Sequence, residues 1–305
     1  MKYLRLGYTE STLLLFYYLE NILKIEITES SKKSRSNLIN WLLSTSGYYD
    51  KTIEGEYFNF DSNKVLLSTT YNDYTKKIIN IINNSDHLRL CMHKIEEIYY
   101  DHVYELKKYL NIKNITQEYE NMNQYFQYDS RIEKIEYNFF INSVNNKRVL
   151  VISPFSKLIE IQVLNGNYKR LYDKEYNIKS ILTYTSPYTF FNNKNNEDNN
   201  EDNNILQKVL NINNDIKNLG LEYDIAIISC GIYSVLIAGY IHDELNKDVI
   251  TVGGFLQNWF GILNNRKKKF NIKNNIDVNY EFWITEIPEE YKPKDYMKIE
   301  DGCYW

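Results

Sequence analysis

Four short segments of this chain place glycine or serine directly after a hydrophobic run: Gly7–Glu10, Ser153-Pro154-Phe155, Ser229-Cys230-Gly231 and Gly253-Gly254. Each run reads as a β-strand. In an open parallel sheet, ligands bind at the carboxyl ends of strands. Glycine there lets backbone N–H groups come close to a ligand, and the helix that follows offers a partial positive charge suited to phosphate. The chemistry open to such a set is the binding of a nucleotide diphosphate. The same glycines also satisfy a plainer need, a tight turn from strand to helix. Two familiar fingerprints are missing. There is no G-x-G-x-x-G for dinucleotides and no G-x-x-x-x-G-K-[ST] for P-loop chemistry.

The ionisable candidates are few. Glu10 falls in the first turn of a helix, where it can favour the helix dipole or act as an acid/base group. Cys230 stands at a helix N-terminus, which lowers a thiol pKa, but no histidine is near it in sequence and a small packing residue is the simpler reading. His87, His93, His102 and His242 show no metal-ligand spacing. Arg266 opens the basic run Arg266-Lys267-Lys268-Lys269, which is either a solvated face or a reach toward phosphates.

The elements that position these residues can be read in outline. Lys2–Leu6 is a strand, and a helix follows over Glu10–Leu23 with Thr9 as N-cap. Further helices are expected at Asn37–Leu43, 72–83 and 94–110. The turn Ser46-Gly47-Tyr48-Tyr49 follows the first of these, and a strand is expected at His87–Cys91. Residues 111–145 lack periodicity and read as a connection. Arg148–Ile152 carries a β-branched run suited to a strand buried on both faces. Ser153 as N-cap with Pro154 at the first helical position then starts a helix to Val163. A strand is expected at Ile178–Tyr184. Asn192–Asn204 is low-complexity and polar, so it reads as a mobile surface loop. A helix over Ile205–Leu219 closes on Gly220. Tyr223–Gly254 then parses as strand, glycine turn, helix and strand, a βαβ unit of about 30 residues with parallel strands.

The totals agree with a folded enzyme-sized chain. There are 305 residues, 43% of them hydrophobic, with a net charge of −4. No overall positive field favours nucleic acid. Three cysteines, Cys91, Cys230 and Cys303, form no C-x-x-C pair, so neither a disulfide framework nor a zinc site is indicated. The opening MKYLRLGYTE has no apolar stretch of the secretory kind, and no apolar run approaches the roughly 20 residues of a membrane span. The expectation is a cytoplasmic protein without a membrane span. Its fold class is expected to be α/β and Rossmann-like, a mostly parallel sheet flanked by helices with a more helical N-terminal half. Residues 1–145 would form an N-terminal α/β region and 146–305 a nucleotide-binding region.

The segment ISCGIYSVLIAGYI…VITVGGFLQNWFGI resembles a motif of proteins from bacterial surface-polysaccharide loci, C-G-x-Y, a helix, then G-G-x-L-Q-x-x-F-G-I and an Arg. The matching residues are Cys230, Gly231, Tyr233, Gly253, Gly254, Leu256, Gln257, Phe260, Gly261, Ile262 and Arg266. VLVISPFSKLIEIQ resembles the same family's V-I-S-P-F segment through Ser153, Pro154, Phe155, Ile159 and Gln162. The terminal Gly302-Cys303-Tyr304-Trp305 resembles its G-C-Y-W, and Trp283 fits a tryptophan shortly before it. The opening RLGYTE also resembles the first strand end of GT-D-type glycosyltransferase domains. Gly7 and Glu10 match there, while Tyr8 stands where that family has an Asp of a metal-holding pair.

The resemblance implies a transfer of sugar from a nucleotide-diphosphate sugar to a glycan or protein acceptor. Glu10 would be catalytic. The nucleotide sugar would be held by Arg5, Gly7, Ser153, Phe155, Ser229, Cys230, Gly231, Tyr233, Gly253, Gly254, Gln257 and Arg266. With one carboxylate instead of two, a Mn or Mg ion is doubtful, and Glu10 is its only candidate ligand. A homodimer is compatible with this reading, and nucleic acid is not a partner. Two alternatives remain open: a non-catalytic nucleotide-sugar or glycan-binding protein, and another Rossmann enzyme such as a methyltransferase.

Overall fold

The computed structural model describes residues 1–44, 46–50, 62–93, 100–112, 114–120, 138–171, 175–187, 204–220, 222–254, 256–265, 267–268, 280–293, 296–298, 302 and 304–305. The chain divides into two compact units. The first comprises Met1–Asn121, Thr189–Gly220 and Gly231–Asn246, and the second Met122–Tyr188, Leu221–Cys230 and Lys247–Trp305. The architecture is α/β and Rossmann-like, with parallel strands and flanking helices.

In the first unit, β1 (Lys2–Leu6), β2 (His87–His93) and β3 (Asn114–Glu120) lie in the order β3-β2-β1, all parallel. Leu4, Leu6, Leu88 and Leu90 are buried at 2% exposure or less, which gives this ladder one apolar face. The first helix, α1, spans Tyr8–Tyr17 and continues as a π-helical turn over Tyr18–Ile22. Its N-cap is the extended Gly7 and not the expected Thr9, so Glu10 becomes the third helical residue. Thr9 is instead buried.

The next helix, α2, covers Glu29–Ser44 and is two turns longer than Asn37–Leu43. Its opening turns are polar and carry no apolar period. The Thr28 hydroxyl oxygen accepts the Ser31 N–H at 3.2 Å and supplies the cap. After α3 (Ser62–Leu67) comes α4, Thr69–Asn83, capped by Ser68, whose Oγ accepts the Tyr71 N–H at 3.1 Å. Helix α5 spans Tyr100–Tyr109. The strand β3 falls inside the stretch read from sequence as a connection. Its residues are mostly polar, and it forms by pairing with β2 along seven register positions, a tertiary preference that local pattern does not display.

In the second unit, β4 (Lys147–Ile152), β5 (Ile178–Tyr184), β6 (Ile225–Ile228) and β7 (Asp248–Thr251) lie in the order β7-β6-β4-β5, again all parallel. Val149–Ile152 and Ile225–Ile228 are at most 1% exposed, as a strand covered on both faces requires. The expected βαβ arrangement is present. Ile225–Ile228 pairs in parallel with Asp248–Thr251, and β4 lies on the other side of β6. Arg148 donates to Asp224 from Nε at 3.2 Å, from Nη2 at 2.7 Å and from its backbone N at 2.9 Å, fixing the register at the strand starts.

Helix α6 begins at Ser156, two residues after the expected Pro154. The N-cap is Phe155 and not the expected Ser153, whose Oγ accepts the Phe155 N–H at 3.2 Å and closes a turn before the helix. In the first unit, α7 spans Ile205–Asn218, and Gly220 follows in the left-handed region at φ 96°. The low-complexity segment lies outside the described residues up to 203. Its last residue, Asn204, is the N-cap of α7, with Oδ1 accepting from Leu206 N and Gln207 N. The helix between β6 and β7 is broken into a short 3-10 turn (Gly231–Tyr233), α8 (Ser234–Gly239) and a π-helical turn (Tyr240–Glu244). No helix among the described residues is long and apolar enough to cross a membrane.

Candidate functional site

The first unit gathers three loops that the sequence separates widely: the Gly7–Glu10 end of β1, the turn after α2, and Gly231. Glu10 folds back over Gly7, and a Cβ built on Gly7 would lie 2.5 Å from the Glu10 Oε2. A side chain here would push that carboxylate out of its present position. The carboxyl group accepts a hydrogen bond from the Ser46 hydroxyl and one from its own backbone N–H, and the Arg5 guanidinium lies near enough to attract it. Burial nevertheless dominates, so the Glu10 carboxyl sits above its ordinary value of 4.5, with the Glu10 amide, Arg5 and Ser46 pulling the other way. The Tyr74 hydroxyl is held well above its ordinary value by burial first, then by the Glu10 charge and by Tyr71 and Tyr48.

The turn at Ser46 is built to hold that position. Gly47 takes φ 88°, the Tyr48 N–H returns to Leu42 O at 3.2 Å, and Tyr48 is fully buried against Tyr71 and Tyr74 at ring distances of 6.3 and 6.0 Å. The Ser46 carbonyl accepts the Ile232 N–H at 3.1 Å. Gly231 beside it has φ 57°, and a Cβ there would stand 2.8 Å from the same carbonyl oxygen. Glycine at this position is thus needed for two reasons at once, its backbone conformation and the close approach of Ser46. Gly231 itself is exposed, whereas Tyr233 is 2% exposed and belongs to the core. Next to Arg5 in register on β2 stands Arg89, 4% exposed, and Tyr3 and His87 stack two register positions along at 4.6 Å.

In the second unit the strand ends are tied together. Ser229 Oγ donates to Gly253 O at 3.1 Å, linking the ends of β6 and β7. Cys230 is buried at 7% exposure. Ser153 is 1% exposed and closes the turn already described. Phe155 packs against Trp305 at a ring distance of 5.7 Å. A Cβ on Gly254 would run into the Tyr304 ring, with Cδ1 3.3 Å away. Gln257 is 2% exposed and donates from Nε2 to Tyr304 O at 2.9 Å. Ser153, Phe155, Gly254 and Gln257 therefore all serve contacts within the protein, and Gly254 and Gln257 serve the same tyrosine. Arg266 lies outside the described residues.

The residues around Glu10 do not fit a divalent cation. Its carboxylate faces a guanidinium, and no group of three or more His, Cys, Asp or Glu side chains suited to a metal occurs among the described residues. From sequence, Ser46 reads only as part of the Ser46–Tyr49 turn and Tyr74 is not singled out. A serine in a turn and a tyrosine within an amphipathic helix carry no signal of their own, and only the fold brings them to Glu10. Tyr304 drew notice only as part of a terminal motif.

Compared with models of protein families, with characterised proteins and with solved structures, the chain matches none, and its function is argued from its own residues.

Proposed function

We propose that this protein is a glycosyltransferase that moves a sugar from a nucleotide-diphosphate sugar to a glycan or protein acceptor, with Glu10 as its acid/base residue. The observation that carries the reading is the Glu10 carboxyl itself. It stands half-buried at the carboxyl end of a parallel strand, with its proton affinity raised by burial. A carboxyl group in that condition is a stronger base when ionised and suits proton transfer near neutrality. Transfer requires that an acceptor hydroxyl lose its proton while its oxygen bonds to the anomeric carbon. The bond from that carbon to the diphosphate oxygen breaks, and its electron pair leaves with the diphosphate. Glu10 takes the hydroxyl proton. Ser46 orients the carboxylate, and Arg5 lowers the cost of its charge.

Within the second unit, the backbone amides after β6 and β7 are the candidate contacts for a diphosphate. A non-catalytic nucleotide-sugar-binding protein is the second reading. It is favoured by one observation, Tyr8 standing where the resembled glycosyltransferases carry the second carboxylate. Thermal-shift measurements with a panel of UDP-, GDP-, dTDP- and ADP-sugars, S-adenosylmethionine and NAD test the ligand class. A rise in Tm with a nucleotide sugar supports the proposal. A rise with S-adenosylmethionine or NAD alone replaces it with another Rossmann chemistry.

A further inference from the structure

The edge of a parallel sheet where strands end is the edge a ligand needs. In the second unit that edge is already covered. The Tyr304 ring rests on Gly254 just after β7, and Trp305 packs on Phe155 just after β4. Trp305 is 6% exposed and is enclosed further by Tyr296 and Tyr304 at ring distances of 5.7 and 5.9 Å. Polar contacts latch the segment from beneath. Gln257 donates to Tyr304 O at 2.9 Å, and Asn265 Nδ2 donates to Gly302 O at 3.2 Å and also to Trp305 O. Both amide residues come from the stretch that immediately follows Gly253-Gly254.

We propose that Gly302, Tyr304 and Trp305 form an autoinhibitory strap that occupies the diphosphate position at Gly253-Gly254 and must lift before a nucleotide diphosphate binds. The inference rests on the glycosyltransferase reading and adds its regulation. The physical reason is exclusion. The glycine that would let a phosphate approach the backbone is in van der Waals contact with an aromatic ring, and one space cannot hold both. Among the described residues the latch includes two side-chain amides and one aromatic cluster, and opening must break both. Binding is then weakened by the fraction of time the strap is open. A strap open about one-tenth of the time lowers the apparent affinity about tenfold.

The test measures UDP, GDP and dTDP binding to the full chain by calorimetry, in the wild type and in three variants. Tyr304→Ala removes the ring from Gly254. Gln257→Ala removes one latch bond and keeps the ring, which guards against a folding defect specific to Tyr304. Tyr304→Phe keeps the ring and serves as the reference. The expected result is affinity for one nucleotide about tenfold higher in Tyr304→Ala, raised by less in Gln257→Ala, and at the wild-type level in Tyr304→Phe. Binding to Tyr304→Ala where the wild type binds nothing supports the strap more strongly still. Equal or weaker binding in Tyr304→Ala overturns the strap and leaves the glycosyltransferase reading standing. Absence of binding in every variant overturns both.

Discussion

At the scale of single residues, Glu10 joins two effects that point in opposite directions, and both can be measured. Burial is the largest influence on its carboxyl and raises it above 4.5, while its own amide, Arg5 and Ser46 lower it. The folded protein therefore holds a proton here more tightly than the unfolded chain does. Stability falls as pH rises from 4.5 through the raised value, and the loss persists above it. Glu10→Gln cannot ionise. It should raise Tm at pH 7 relative to the wild type and leave it unchanged at pH 4, as followed by circular dichroism. The same substitution should lower sugar transfer by roughly 10²–10⁴-fold while ligand binding persists. A lower Tm at pH 7 would mean that the charge on Glu10 is needed by the fold. Gly231 offers a second residue-scale test. Gly231→Ala forces a Cβ onto the Ser46 carbonyl at a backbone φ of 57°, and should cost about 1–3 kcal/mol in urea denaturation. Because Ser46 also holds Glu10, transfer should fall with it.

At the scale of elements, the caps make quantitative predictions. Asn204 holds the start of α7 through two backbone N–H groups, so Asn204→Ala should cost about 1 kcal/mol. An unchanged urea midpoint would show that solvent replaces it fully. The strands with continuous apolar runs, Val149–Ile152 and Ile225–Ile228, were legible because a strand buried on both faces needs no alternation. So was the βαβ unit around them. The second strand of the first unit was legible for its leucines. The third, Asn114–Glu120, was not, because its polar sequence resembles a loop and its pairing with β2 is long-range. Helix α2 was shortened for the same physical reason, since its exposed first turns need no apolar period. Thr9 was misplaced as the cap because a serine-threonine rule cannot see that Glu10 reaches back over Gly7. Of the candidate site, the strand ends were legible. The Ser46 hydrogen bond to Glu10, the influence of the Glu10 charge on Tyr74 and the Tyr304 contact to Gly254 were not, because each joins residues more than thirty positions apart in the chain.

At the scale of the whole molecule, the first unit depends on an ion pair that joins its first strand to its last helical turn. Lys2 is fully buried, and its Nζ donates to Asp243 at 2.8 and 3.1 Å. Burial pushes the Asp243 carboxyl up, yet the bonds from Lys2 and His242 hold it below its ordinary value. Asp243→Ala would leave the Lys2 ammonium without its anion and should cost about 1–2 kcal/mol, read from the urea midpoint, because water reaches the exposed side of Asp243. Replacing both partners with apolar residues should recover most of that loss. The account as a whole stands on the claim that this scaffold transfers sugar from a nucleotide. The most direct measurement is the release of nucleoside diphosphate from a panel of nucleotide sugars, with a glycan or peptide acceptor present, by the wild type and Glu10→Gln. One nucleotide sugar should be consumed with acceptor-dependent release, and Glu10→Gln should bind it yet release at least about 100-fold less. Release at the wild-type rate by Glu10→Gln, or binding without release by the wild type for every acceptor, would contradict the account.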